Sequence, residues 1–354
     1  MPSKTFANVA EEAWIRYVAE FPAMQFLFRL FSIAFINLGF SAFYSKSATQ
    51  KEKVESLKKK QLERKFPQKI AVITGGNSGI GYEVALELCS VGYRVILGCR
   101  NQKKALEAIE SIKAKVGKEC SMDYMPLDLC SFRSVRIFAL ELISREAKLD
   151  LLINNAAICA PTEFIRTENS FEQQYQVNYL SHFLLTRLLI PYLAATPDSK
   201  VINLTSCLAF ATSGDFDYKK ASEQYSYDPM KNYCVSKNAI VLSTLSLSEK
   251  LSSLGVSSFT VHPGFVSSGH YKACATFHSI ATFLSKLKIR LPSQGTTTIM
   301  FLALTPNKEL ANYSKACYYS DGMPILPVQK QCNKELREDL WEDSCCKVGL
   351  CDDI

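Results

Sequence analysis

Tyr233 and Lys237 stand four residues apart, so on a helix they share one face, and an ammonium beside a phenol lowers the phenol's pKa from about 10 toward neutrality. A phenol tuned in this way exchanges protons with an alcohol or a carbonyl near neutral pH. Taken alone, the pair is equally compatible with a tyrosine that only packs in a core. A second group of residues concerns binding. Ile70, Ala71, Val72 and Ile73 run directly into Thr74-Gly75-Gly76-Asn77-Ser78-Gly79-Ile80-Gly81, where glycines permit a tight turn and let backbone N–H groups approach a pyrophosphate at a helix N-terminus. The next apolar run, Arg94 to Cys99, ends in Arg100, where an NAD-selective site would place an acid against the ribose 2′-hydroxyl. A guanidinium there suits a 2′-phosphate, so NADP(H) is the expected cofactor; the competing reading is an ordinary exposed charge at a strand end.

These groups need a scaffold that brings them together. Val84, Ala85, Leu88 and Cys89 follow the glycine turn at helical core spacing. Ala105, Ile109 and Ile112 mark an amphipathic helix, Met122 to Leu127 a strand, the segment after Ser131 another helix, and Leu151-Leu152-Ile153 a strongly apolar strand. The alternation predicts an α/β fold, a doubly wound parallel sheet of the Rossmann kind. Val201 to Ser206 reads as a further buried strand that ends in hydroxyls.

The pattern Thr74-Gly75-x-x-x-Gly79-x-Gly81, the motif Asn154-Asn155-Ala156-Ala157 after a strand, and Tyr233-x-x-x-Lys237 together resemble the short-chain dehydrogenase/reductase family over roughly residues 68 to 350. That resemblance implies hydride transfer between a nicotinamide and a substrate carbon, with Tyr233 as general acid or base and Lys237 holding the ribose and tuning Tyr233. It assigns Ser206 to the substrate oxygen and Asn178, in Gln176-Val177-Asn178-Tyr179-Leu180-Ser181-His182, to the support of a relay water. It assigns Thr74, Gly75, Asn77, Ser78, Gly79, Ile80, Gly81, Arg100, Asp128, Asn155 and Pro263 to the cofactor, with Asp128 against the adenine and His262-Pro263-Gly264-Phe265-Val266 closing over the nicotinamide. Three positions depart from the family pattern: Ala157 replaces a glycine, Thr205 a common serine, and Ser267-Ser268 stands where a threonine often contacts the carboxamide. The added methyl at Ala157 is expected to weaken cofactor binding.

Asn178 to Thr186, the Cys99-Arg100-Asn101 strand end and the closing Leu340-Trp341-Glu342-Asp343-Ser344-Cys345 look like the retinol dehydrogenase branch, which also holds the WW-domain oxidoreductase and the X-linked dehydrogenase/reductase. Trp occurs only at 14 and 341, so no WW domain is expected. Membership implies a lipophilic alcohol, aldehyde or ketone as substrate, of retinoid, steroid or polyprenoid type, and often a homodimer. His270 to Leu291 mixes Phe277, Ile280, Phe283 and Leu284 with Lys286, Lys288 and Arg290 where the family places its substrate lid. The alternative from another functional class is a catalytically silent, membrane-tethered binding or scaffold protein that keeps the fold.

Composition narrows the partners. The 354 residues, 47% hydrophobic and 21% charged, suffice for a full core, and the formal charge is +7. The excess sits early: residues 1–70 hold twelve basic and six acidic groups, whereas residues 71–354 are almost neutral. No basic block with interleaved aromatics stands in the larger part, so a nucleic-acid partner is not expected. Phe21 to Tyr44 is the most apolar stretch, broken by Arg29, and as a helix would span roughly 36 Å, against about 22 Å for its uncharged part from Leu30. Residues 1–45 are therefore expected to be a membrane anchor, spanning or monotopic, with a cleaved signal peptide and a helix packed on the protein's own core as alternatives. Residues 46–67, with Lys46, Lys51, Lys53, Lys58, Lys59 and Lys60, form the expected basic linker, and residues 68–354 the catalytic domain. The positive-inside rule puts that domain in the cytosol, and the resemblance implies attachment at the endoplasmic reticulum or a lipid droplet. Thirteen cysteines without a CxxC pair are expected to be reduced, mostly buried residues, and with four histidines and no HExxH arrangement no metal is expected.

Overall fold

The computed structural model describes residues 47–63, 67–212, 217–264, 266, 291–311, 318–320, 323–325 and 333–352. The apolar stretch Phe21 to Tyr44, the Ser267-Ser268 pair and nearly all of the expected lid lie outside these residues. Among the described residues no helix is long and apolar enough to cross a membrane.

Eight strands form one sheet in the order 3-2-1-4-5-6-7-8: β1 (Ile70–Thr74), β2 (Arg94–Cys99), β3 (Met122–Pro126), β4 (Leu151–Asn154), β5 (Lys200–Leu204), β6 (Ser257–His262), β7 (Tyr318–Ser320) and β8 (Met323–Ile325). The first seven are parallel and β8 runs antiparallel to β7, a turn-back that the apolar alternation did not reveal. Continuous Val, Ile and Leu runs produce strands buried on both faces, as parallel pairing demands. The register sets Val72 beside Ile96 and Leu152, and Asn154 beside Asn203.

Because strand side chains alternate, the sheet has two cores. Ala71, Ile73, Val95, Leu97 and Ile153 face α2 (Gly79–Ser90), α3 (Gln102–Val116) and α7 (Thr297–Leu304). Val72, Ile96, Leu152 and Val201 face α4 (Phe132–Arg145), α5 (Ser181–Ala194), α6 (Pro229–Leu251) and α8 (Lys334–Val348). Local capping fixes several helix starts: the side chains of Asn101, Ser131 and Asp228 accept first-turn N–H bonds of α3, α4 and α6, and Pro229 occupies the first turn of α6.

The stretch read as a basic linker contains a helix, α1 (Ser47–Glu63), which lies on α7 with Val54 and Leu57 buried. Lys58 Nζ is 2.8 Å from Glu87 of α2, and Lys53 Nζ is 5.0 Å from the Phe301 ring centroid. Six described cysteines, Cys89, Cys99, Cys159, Cys207, Cys234 and Cys345, are buried, Cys346 and Cys351 are exposed, and every described cysteine is a free thiol.

Candidate active site

The order 3-2-1-4 reverses direction between β1 and β4, so the C-terminal ends of those strands open a crevice where doubly wound sheets bind ligands. Gly75 and Gly79 have φ of +65° and +57°, which L side chains rarely adopt, and Gly75 N donates to Gly98 O at 2.9 Å. Gly81 is required by proximity: a Cβ there would lie 2.5 Å from Asn155 Nδ2 and 2.7 Å from Gly75 O. Ser78 begins α2 in an extended conformation without a side-chain hydrogen bond to the first turn. The turn thus presents backbone donors and little bulk, which fits a dinucleotide pyrophosphate.

Asn155 holds the turn from the next strand. Its Nδ2 donates to Thr74 O at 2.8 Å and Gly75 O at 3.3 Å, and Thr74 Oγ1 accepts the N–H groups of Asn155 and Ala156 at 2.9 and 3.0 Å. An open cleft of about 670 Å³ begins here, with Ser78, Ile80, Asn155 and Ala157 in its lining. Thr205, Ser206, Tyr233, Lys237 and Pro263 line the same cleft.

The reacting groups come from β5 and α6. Ser206 follows the end of β5, and its Oγ accepts the N–H of Leu208 at 3.2 Å. Tyr233 and Lys237 lie one turn apart on α6, with Lys237 Nζ 5.7 Å from the Tyr233 ring centroid. Lys237 is 3% exposed and donates to Leu204 O at 3.1 Å. Burial pulls its pKa down to about 8, so the ammonium persists at neutral pH and is lost in mild alkali. Thr205 Oγ1 donates to Lys237 O at 2.9 Å and so binds α6 to the end of β5.

The remaining expected site residues stand apart from the cleft lining. Asn178 belongs to a π-helical turn, Gln176–Leu180, that leads without a break into α5. Its carboxamide is fully engaged: Oδ1 accepts Ile158 N at 2.8 Å, and Nδ2 donates to Ile158 O at 2.9 Å and Ser236 Oγ at 3.0 Å. It therefore holds the strand exit that carries Ala157 and Cys159 into the cleft. Arg100 is exposed just beyond β2. Asp128 follows β3, and its Oδ1 accepts Cys130 N at 2.9 Å. Thr74, Gly75, Gly79 and Gly81 shape the turn beneath the cleft.

Sequence reasoning missed Cys159 and His182, and named His262 only as part of the segment closing over the nicotinamide. Cys159 lines the cleft and packs with Tyr233. His262 also lines it, and its Nδ1 accepts Cys207 N at 3.3 Å, next to Ser206. His182 is fully buried between Thr74 and the π-helical turn. For His182 the signal was present, since it stands four residues after Asn178 on helical spacing. Cys159 and His262 acquire their places only when separate strands are assembled.

Comparison with known proteins agrees with this geometry. The family model for short chain dehydrogenases matches residues 69–277. Human retinol dehydrogenase 13 is 36% identical over 291 residues, covering 80% of this chain and 86% of its own length. Mouse retinol dehydrogenase 11 is 34% identical over 288 residues, covering 80% and 88%. The crystal structure of an uncharacterized protein from Mycobacterium paratuberculosis superposes with a TM-score of 0.62 at 25% identity, covering 82% of this chain and 96% of that one. A glycine turn braced by Asn155 and a Tyr233–Lys237 pair in one cleft, matched along most of the chain by such relatives, place this chain in the short-chain dehydrogenase family of nicotinamide-dependent oxidoreductases.

Proposed function

We propose that the protein is an NADP(H)-dependent oxidoreductase that interconverts a lipophilic alcohol and its carbonyl, of retinoid, steroid or polyprenoid type. The observation that carries this reading is the convergence of Tyr233, Lys237 and Ser206 on the cleft that starts at the glycine turn. A bound nicotinamide dinucleotide supplies the hydride. Asn77, Ser78 and Ile80, on a turn shaped by Thr74, Gly75, Gly79 and Gly81, would hold its pyrophosphate, Asn155 the backbone beside it, Asp128 its adenine, and Pro263 the nicotinamide side.

The chain's own residues have separable tasks. Ser206 orients the substrate oxygen with its hydroxyl. Tyr233 gives that oxygen a proton in reduction and takes one back in oxidation. The Lys237 ammonium, kept out of water, acts on Tyr233 and on the ribose far more strongly than an exposed lysine would. Asn178 positions the strand exit through Ile158. Arg100, free of steric enclosure at the end of β2, pairs with a 2′-phosphate.

Residues 1–45, through their apolar stretch Phe21 to Tyr44, tether the enzyme to the endoplasmic reticulum or a lipid droplet, with residues 68–354 as the catalytic domain on the cytosolic side. Relatives named as retinol dehydrogenases support the substrate class. The test is NADPH- against NADH-dependent reduction of retinal, ketosteroid and polyprenal substrates by the purified protein, with Tyr233→Phe and Arg100→Ala. The expected result is turnover with NADPH, lost in Tyr233→Phe, and a loss of NADPH affinity in Arg100→Ala about tenfold or more beyond that for NADH. Absence of turnover on every substrate would support a silent scaffold, and equal losses for both nucleotides would remove the phosphate contact.

A further inference from the structure

We propose that His182 is a positioning residue of the redox site, whose imidazole ties the glycine turn to the π-helical turn carrying Asn178 and so sets the cofactor site against the catalytic helix. The proposal rests on the reading of the cleft as a nicotinamide dinucleotide site.

The hydrogen-bond inventory decides the state of the ring. A hydroxyl has one proton to give and two lone pairs. Thr74 Oγ1 spends both lone pairs on the N–H groups of Asn155 and Ala156, so its proton goes to His182 Nε2, 2.8 Å away. Nε2 is therefore an acceptor, and the ring proton sits on Nδ1, which donates to Asn178 O at 3.1 Å. A doubly protonated ring would set two donors against each other at Thr74. Burial, with the nearby Lys237 charge, agrees with this by pulling the pKa of His182 to about 4.

The position of the tie gives it consequence. On one side it fixes Thr74, and through it the two amides that follow β4 into the cofactor cleft. On the other it takes a carbonyl of a π-helical turn, where backbone bonding is irregular and Ser181 N reaches back to Gln176 O. From there the contacts continue without a gap. Asn178 Nδ2 donates to Ser236 Oγ, and Ser236 Oγ donates to Tyr233 O at 2.7 Å. One line of buried polar groups thus runs from the glycine turn to the helical turn that bears Tyr233, and His182 is the member that bridges β1 and α5.

The test measures nucleotide affinity and tautomer, independently of turnover. His182→Phe keeps a ring but neither hydrogen bond, whereas His182→Gln returns an acceptor toward Thr74. Titration of NADPH fluorescence is expected to show binding about tenfold weaker in His182→Phe, the loss that follows from an unmade buried hydrogen bond. His182→Gln should recover most of it, and Thr74→Val with His182→Phe should bind no more weakly than Thr74→Val alone. Nitrogen-15 spectra of the wild-type protein should show His182 protonated on Nδ1 between pH 5 and 8. A purely structural role would lower the melting temperature and leave the dissociation constant of the folded protein unchanged. That result, additive losses in the double variant, or an Nε2-protonated ring would each overturn the proposal. Wild-type protein that binds neither NADPH nor NADH would overturn the reading of the cleft instead, and an Nδ1-protonated His182 in the same sample would leave the tie itself standing.

Discussion

On the face of the sheet covered by α2, α3 and α7, with α1 packed outside α7, the core holds Val54, Leu57, Val84, Leu88, Ile112 and Ile299, all buried, with Tyr93, Phe301 and Tyr319 among them. On the face covered by α4, α5, α6 and α8 the core likewise holds Leu142, Leu189, Tyr175, Tyr179 and Trp341, but beside them stand the buried polar groups Asn178, His182 and Lys237. On the first face the Thr305 hydroxyl turns back to its own helix at Phe301 O, and the Thr296 hydroxyl bonds Ser293 O one turn back as well as Glu87 of α2. On the second, buried polar groups reach across elements: Asn154 to Thr186 and Asn203, Asn203 to Thr244, Tyr179 to Ser344. Aliphatic packing is non-directional and tolerates small shifts, whereas a buried hydrogen bond fixes distance and angle or costs free energy. The chemistry therefore sits on the face where position is most tightly specified.

The largest expected effect follows from that division. Tyr233→Phe should lower kcat about 10³-fold, the scale of a lost general acid or base, while the urea midpoint stays at its wild-type value. If stability fell instead, with kcat per folded molecule intact, Tyr233 would be a packing residue and the contrast between the faces would collapse. The mirror experiment is Ile112→Ala on α3, where the side chain is fully buried in the core of the first face. It should cost about 3 kcal/mol in a urea titration and leave kcat per folded molecule unchanged.

Acid should separate the faces next. His182 titrates near pH 4 in the fold against its ordinary value of 6.5. Between those values the unfolded chain binds a proton that the folded chain refuses. Stability supplied by this ring is therefore complete above pH 6.5 and is lost as pH falls toward 4, by about 3 kcal/mol in all. His182→Phe should remove this component, so that unfolding free energies at pH 7 and pH 4.5 lie closer together than in the wild type. An unchanged gap would place the acid sensitivity elsewhere.

Much of the aliphatic face was legible in the sequence because its signal is periodic. Ala105, Ile109 and Ile112 are apolar at helical spacing, and the expected β2, Arg94 to Cys99, is the observed strand. The site was legible in its motifs, since Thr74, Ser78, Asn155, Ser206, Tyr233 and Lys237 each stand in a short pattern with a chemical reason. Pairings between distant segments were not. Nothing in the local sequence shows that Thr74 meets His182, that Cys207 N meets His262, or that Trp341 packs edge-on against Phe183 at 4.9 Å, because each contact depends on strand order. The antiparallel β8 escaped for a related reason, as a three-residue strand offers too few positions for alternation to register.

The smallest expected effect tests the aliphatic face at its edge. The lysines of α1 read from the sequence as a positive collar, yet Lys58 turns inward to Glu55 at 2.7 Å and Glu87 at 2.8 Å. Burial alone would lower the Lys58 pKa, but hydrogen bonds and charge from the two glutamates carry it above its ordinary value. Even so, the side chain keeps 18% of its exposure, and solvent screens the pair. Glu87 also keeps a second partner, since Thr296 Oγ1 donates to its Oε1. Lys58→Met should therefore cost less than about 1 kcal/mol in the full-length protein, whereas Leu57→Ala, one position away and buried against the same core, should cost about 2 kcal/mol. Urea titrations of both variants decide between charge and packing. A Lys58→Met loss as large as that of Leu57→Ala would mean that α1 is held by its ion pair, and that polar specification extends to the face where aliphatic contact is expected to suffice.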